Sequence, residues 1–175
     1  MRSTTRSRCW GSPVADDPAD LLSVGFTASR YLDGKGEQVI LGVLAGVPAA
    51  DRYVTGGCIG GDAFIGRWLL RNRPDAEHVV VVPADRSRVD PWWLTAEGPV
   101  ERITFILMPP GTTYADRNKR IVAESTYLYG FPSYVEGDRR SRRSGTWQTL
   151  RMSLRAGKFR AWRTVRAPFR DSGTI

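Results

Sequence analysis

Four short stretches carry residue types that could hold an anion. In FTASR (26–30), Thr27 and Ser29 offer hydroxyls and Arg30 offers a planar fork of donors. In TGGCIGGD (55–62), Gly56, Gly57, Gly60 and Gly61 surround Cys58 and lead to Asp62. Glycine lets a ligand approach backbone amides closely. Asp62 can serve as a helix-start carboxylate or as an acceptor for ribose hydroxyls, and both roles stay open. In YADRNKR (114–120), Arg117 suits a phosphate, and Asn118 suits a base edge or a loop carbonyl. In RRSRRSGTWQT (139–149), Arg139, Arg140, Arg142 and Arg143 precede Ser144, Gly145 and Thr146. A hydroxyl, a glycine and the free amides of a helix start make an anion site. Trp147 could stack on a base or anchor its helix.

Other chemistries find little support. His78 is the only histidine, next to a run of valines that predicts a strand-edge structural role. Without further histidines, Ser-His-Asp and Cys-His catalysis would depend on that residue, and no metal site is expected. Cys9 and Cys58 make no disulfide framework, which points to a reducing cytoplasm, and Cys58 is expected to pack rather than react. The basic start lacks the apolar stretch of a secretory signal, and no segment is long and apolar enough for a membrane span, so no membrane partner is expected. The net charge of +8 is concentrated: eleven cations and no acid lie between 139 and 170. Such a field attracts phosphorylated ligands or polyanions.

The elements that must position these stretches alternate. The chain of 175 residues predicts one domain over 21–166, with a flexible arm at 1–20 and a tail at 167–175. Apolar, β-rich runs at 21–27, 52–55, 78–83, 127–132 and 158–165 predict strands. RITFILMP (102–109) suits a strand or a buried helical turn. Helical spacing covers 37–47, 64–70, 114–126 and 146–157, with Thr112 or Thr113 as an N-cap. ADRSRVDPWWLTAEGP reads as a loop or short helix. Alternation of this kind predicts a Rossmann-like α/β/α sandwich with a mostly parallel sheet of about five to six strands. Ligands in such sheets bind at the carboxyl ends of the strands, where all four stretches fall.

Together these stretches resemble the SLOG superfamily of Rossmann-like domains, which includes DNA-processing protein A and the "lonely guy" phosphoribohydrolases. The resemblance runs from about Leu21 to Val165. VGFTASR is similar to the family's first strand and phosphate loop, with Ala28 where glycine is usual. VTGGCIGGD is similar to the GGxxGxD loop of small uncharacterised members. TYADRNKRIVAES with YLYGFP, and RRSGTWQTLRMSLRAGK, are similar to the Arg-Asn helix and the last phosphate loop. The resemblance implies binding of a nucleotide or phosphorylated nucleoside derivative, and such a binding module could sense or sequester a signal. In the phosphoribohydrolases a PGGxGTxxE loop supplies a catalytic glutamate; here Thr149 takes that place. An N-glycosidase would then need another carboxylate, Glu124 or Asp62. A third reading is a nucleic-acid binder using the basic segment with Trp147, Phe159, Trp162 and Phe169. Homo-oligomerisation is also left open, and no cofactor is implied.

Overall fold

The computed structural model describes residues 21–94 and 102–165. The expected arm at 1–20, the tail at 167–175, Cys9 and Phe169 lie outside those residues. Six strands form one sheet: β1 (Ser23–Ala28), β2 (Arg52–Thr55), β3 (Glu77–Val82), β4 (Ile103–Leu107), β5 (Tyr127–Phe131) and β6 (Phe159–Trp162). Their order is β4-β3-β2-β1-β5-β6, and every pairing is parallel. Four helices connect them: α1 (Gly34–Leu44), α2 (Gly61–Asn72), α3 (Tyr114–Glu124) and α4 (Gly145–Arg155).

Both faces of the sheet are covered. On one, Val24, Phe26 and Tyr53 pack against Ile40 and Leu44 of α1 and Ile65 and Leu69 of α2. On the other, Val54, Val79, Val81 and Leu128 pack against Ile121 and Val122 of α3 and Trp147 and Leu150 of α4. Burial on both faces explains why β3 reads as continuous valine rather than alternating residues.

The order reverses at β1. From there the chain builds outward through β2, β3 and β4, then returns through α3 to place β5 on the other side of β1. The loops after β1 and β5 therefore diverge, and a crevice opens above their carboxyl ends.

Helix starts depart from the periodicity for local reasons. Helix α1 begins at Gly34, before the apolar run, because the Asp33 side chain caps it and accepts from Gly36 N at 2.8 Å. Thr113, the second of the two candidate caps, forms a capping box with Asp116 at α3. RITFILMP resolves as strand β4. The stretch 84–94 contains two short 3-10 turns, Arg86–Arg88 and Pro91–Leu94. His78 has the expected structural role: it is buried against Tyr53, and its Nε2 meets Arg73 O at 2.9 Å. Among the described residues, no helix is long and apolar enough to cross a membrane.

Candidate functional site

The loop after β1 is fixed by its neighbours. Ser29 N donates to Phe131 O at 2.9 Å, and Ser29 O accepts from Gly61 N at 3.0 Å. The Ser29 hydroxyl bonds the Ser133 hydroxyl and accepts from Tyr31 N. Thr27 is buried at the base, while Arg30 and Tyr31 project outward. Gly60, at φ 87°, lies so close to Arg30 O that an added Cβ would sit 2.1 Å from it. Only glycine fits that conformation and that gap.

Beneath the loop lies a buried charge pair. Asp62 Oδ1 accepts from Ala28 N at 3.0 Å, and Oδ2 accepts from Arg117 Nη1 at 3.3 Å. Arg117 Nη2 donates to Cys58 Sγ at 3.2 Å. Gly56 makes the pair sterically feasible, since a Cβ there would stand 1.9 Å from Arg117 Nη1 and 2.3 Å from Asp62 Oδ2. Gly57 faces Val80 of β3 instead of the crevice. Burial pushes the Asp62 carboxyl up, opposed by Arg117 and the amides of Ala28 and Cys58. Burial likewise pushes the Cys58 thiol up to about 11, consistent with a packing role.

These contacts bear on the two readings of Asp62, which sits in the first turn of α2, and on that of Arg117. Asp62 is 3 % exposed and both of its oxygens hold internal partners, so it is a post tying β1, α2 and α3 together rather than a free acceptor for ribose. Arg117 spends both Nη groups on Asp62 and Cys58, its guanidinium lies over the Tyr114 ring at 5.8 Å, and its buried Nε has no partner among the described residues.

The start of α4 is less committed. Ser144 caps it by accepting from Trp147 N, and Gln148 N donates to Ser144 O. Asn118 Nδ2 donates to Gly145 O at 3.3 Å, so it fixes a loop carbonyl, one of its two expected roles. The first helical amides, Gly145 N and Thr146 N, and the Thr146 hydroxyl have no partner among the described residues. An uncompensated helix start of this kind favours negative charge. Arg143 projects beside it, and among the described residues neither Arg143 nor Arg30 pairs with a carboxylate. Arg140 stacks on Tyr134 at 4.8 Å and bridges to Asp138.

The loops enclose a cavity of about 510 Å³ at the switch point. Thr27, Ser29, Arg30, Asp62, Arg117, Asn118, Arg143, Ser144, Gly145 and Thr146 all border it. Gly56, Gly57 and Gly60 do not, and act by shaping the wall. Glu124 is absent for a stronger reason. It ends α3 at the opposite edge of the sheet, bridging to Arg52 at 3.3 Å and Arg120 at 2.6 Å. Thr149 is fully buried and donates to Gly145 O at 2.8 Å, so it stabilises α4 from inside. Trp147 is also fully buried, with Nε1 donating to Tyr134 O at 2.7 Å. Stacking of Trp147 on a nucleic-acid base is thereby ruled out.

Sequence reasoning missed Tyr31, Ser133, Tyr134 and Gln148, which also border the cavity. Ser133 could have been found, since it lies two residues past the end of β5, the strand beside the switch point. The tyrosines carried no motif.

No protein-family model matches the chain, and no curated protein does. Among solved structures, it is similar to DNA processing protein A from Streptococcus pneumoniae, with a TM-score of 0.61 and 16 % identity. The match covers 86 % of this chain and 52 % of that one, so the chain spans about half that protein's length. The likeness is one of fold: a Rossmann-like α/β domain.

Proposed function

We propose that the cavity binds a nucleotide or other phosphorylated nucleoside derivative. The observation that carries this reading is the open start of α4. Two unpartnered amides and the Thr146 hydroxyl stand there, with Arg143 and Arg30 alongside. A phosphate accepts from the amides of Gly145 and Thr146 and is charge-paired by the two arginines. Tyr31 and Tyr134 offer ring faces for the base. The Asp62–Arg117 pair, in the cavity wall, holds the β1 loop, the glycine loop and α3 in register. The volume lies within the range of about 300–1,000 Å³ usual for small-molecule sites.

Binding without turnover is the better reading. A hydrolase of N-glycosidic bonds needs a carboxylate facing the sugar. Glu124 is at the wrong end, Thr149 is buried, and Asp62 is engaged. The module would then sense or sequester its ligand in the cytoplasm. Calorimetry with a nucleoside 5′-monophosphate, the matching diphosphate and the free nucleoside tests this. The phosphates should bind and the nucleoside should bind at least about tenfold more weakly. Equal binding of all three would refute a phosphate-led site. Release of free base on prolonged incubation would overturn the binding-only reading.

A further inference from the structure

The two edges of the sheet are protected differently. Strand β6 carries Arg160 and is followed by Arg163, charges that discourage strand addition. Strand β4, at the other edge, reads ITFIL, with no charge and no proline. Phe105 is 39 % and Leu107 62 % exposed, and Leu94, next in sequence to the Trp93 that meets Phe105, is 73 % exposed. Long, apolar, unguarded edges are templates for pairing with another chain.

The register defines what this edge presents. Met108 N donates to Val82 O at 3.0 Å. Because backbone groups alternate along a strand, Thr104 and Ile106 also turn theirs toward β3. Ile103, Phe105 and Leu107 therefore aim their N–H and C=O groups away from the sheet.

We propose that two copies of this chain pair through β4, antiparallel, about a two-fold axis at Phe105. In that register Phe105 faces its own copy, and Ile103 faces Leu107 in both directions. All three outward-pointing residues of each strand then meet hydrogen-bonding counterparts, giving about six inter-chain bonds. Any shift of register loses bonds or brings Pro109 into the ladder. The five strand residues carry no charge, and Arg102 just before them is turned to the Asp75 carbonyl, which matters for a molecule of net charge +8, whose copies otherwise repel. None of 1–20, 95–101 or 166–175 contains an uncharged, proline-free run of five residues like that of β4. Pairing joins two six-stranded sheets into one and leaves both cavities open. It does not depend on what those cavities bind.

Sedimentation of the full chain over a concentration series tests this, with Leu107→Lys as the disrupting variant. The wild type should form dimers. Leu107→Lys, at an exposed position, should weaken dimerisation about tenfold or more while keeping its circular dichroism spectrum, since the substitution occurs twice per interface. A second variant, Phe105→Cys in a Cys9→Ser background, reports geometry directly. Paired residues on the axis have Cα atoms about 5.5 Å apart, within the range of about 4.4–6.8 Å that a disulfide spans. It should cross-link on mild oxidation, whereas a cysteine at the exposed Val135 should not. A wild type that stays monomeric at all concentrations overturns the proposal. So does a dimer that neither responds to Leu107→Lys nor cross-links through position 105.

Discussion

The two ends of the sheet use the same residue types to opposite effect. At the amino edge, Arg52 reaches Glu77 at 2.7 Å and Glu124 at 3.3 Å, and Arg120 closes on Glu124. Lys158 donates to the carbonyls of Val122, Ala123 and Ser125, satisfying the end of α3. Each of these five charged groups has an internal partner. At the carboxyl edge, one carboxylate is buried with Arg117, and the arginines at the rim, Arg30 and Arg143, have no carboxylate partner among the described residues. The amides at the start of α4 are equally unspent. A satisfied end holds the fold together; an end with surplus donors around a cavity is equipped to take a ligand from outside.

Breaking that contrast should start with the buried pair. Asp62→Ala strands Arg117 in the interior and should lower the unfolding free energy by about 3–5 kcal/mol, measured by urea denaturation. Ligand binding should fail with it, because three loops lose their common post. Next in size is the cavity wall at Cys58. With its thiol pushed up to about 11, Cys58 holds about 100-fold less thiolate at pH 8 than an unfolded cysteine near 9. In a Cys9→Ser background, thiol labelling should be slow at pH 8, accelerate as pH rises toward 11, and become rapid on denaturation. Fast native labelling at pH 8 would show that the pair leaves Cys58 open.

A smaller and more selective effect belongs to the rim. Arg143→Ala should weaken nucleotide binding about tenfold or more, the worth of one charge-assisted bond. Stability should stay within about 0.5 kcal/mol. The smallest effect sharpens the comparison from the other end. Glu124→Gln should cost at most about 1 kcal/mol of stability, because its partners are partly solvated. It should leave ligand affinity unchanged. A binding defect in Glu124→Gln with a normal melting curve would return the amino edge to functional consideration.

Much of the fold was legible because its signals are local. Valine runs, capping residues and strand-helix alternation give element order directly, and the placement of chemistry at the strand ends follows from the parallel sheet. Partnership is a different matter. Arg117 looks like a phosphate ligand in YADRNKR, but its role is decided by Asp62, 55 residues away. Glu124 looks available until Arg52 and Arg120 are seen around it. The contribution of Gly56 is similar: glycine was expected there for a ligand's approach, whereas the close approach is that of an arginine and an aspartate from the same chain. Spacing along the chain reports which groups exist at an edge, but not which of them are already engaged.

The central claim is that surplus donors at the carboxyl edge hold a phosphate. Calorimetric titration of one nucleoside 5′-phosphate into the wild type and into the double variant Arg30→Ala/Arg143→Ala tests it most directly. Loss of affinity by about 100-fold or more, with an unaltered melting temperature, is the predicted result. Equal affinity in the two proteins would contradict it.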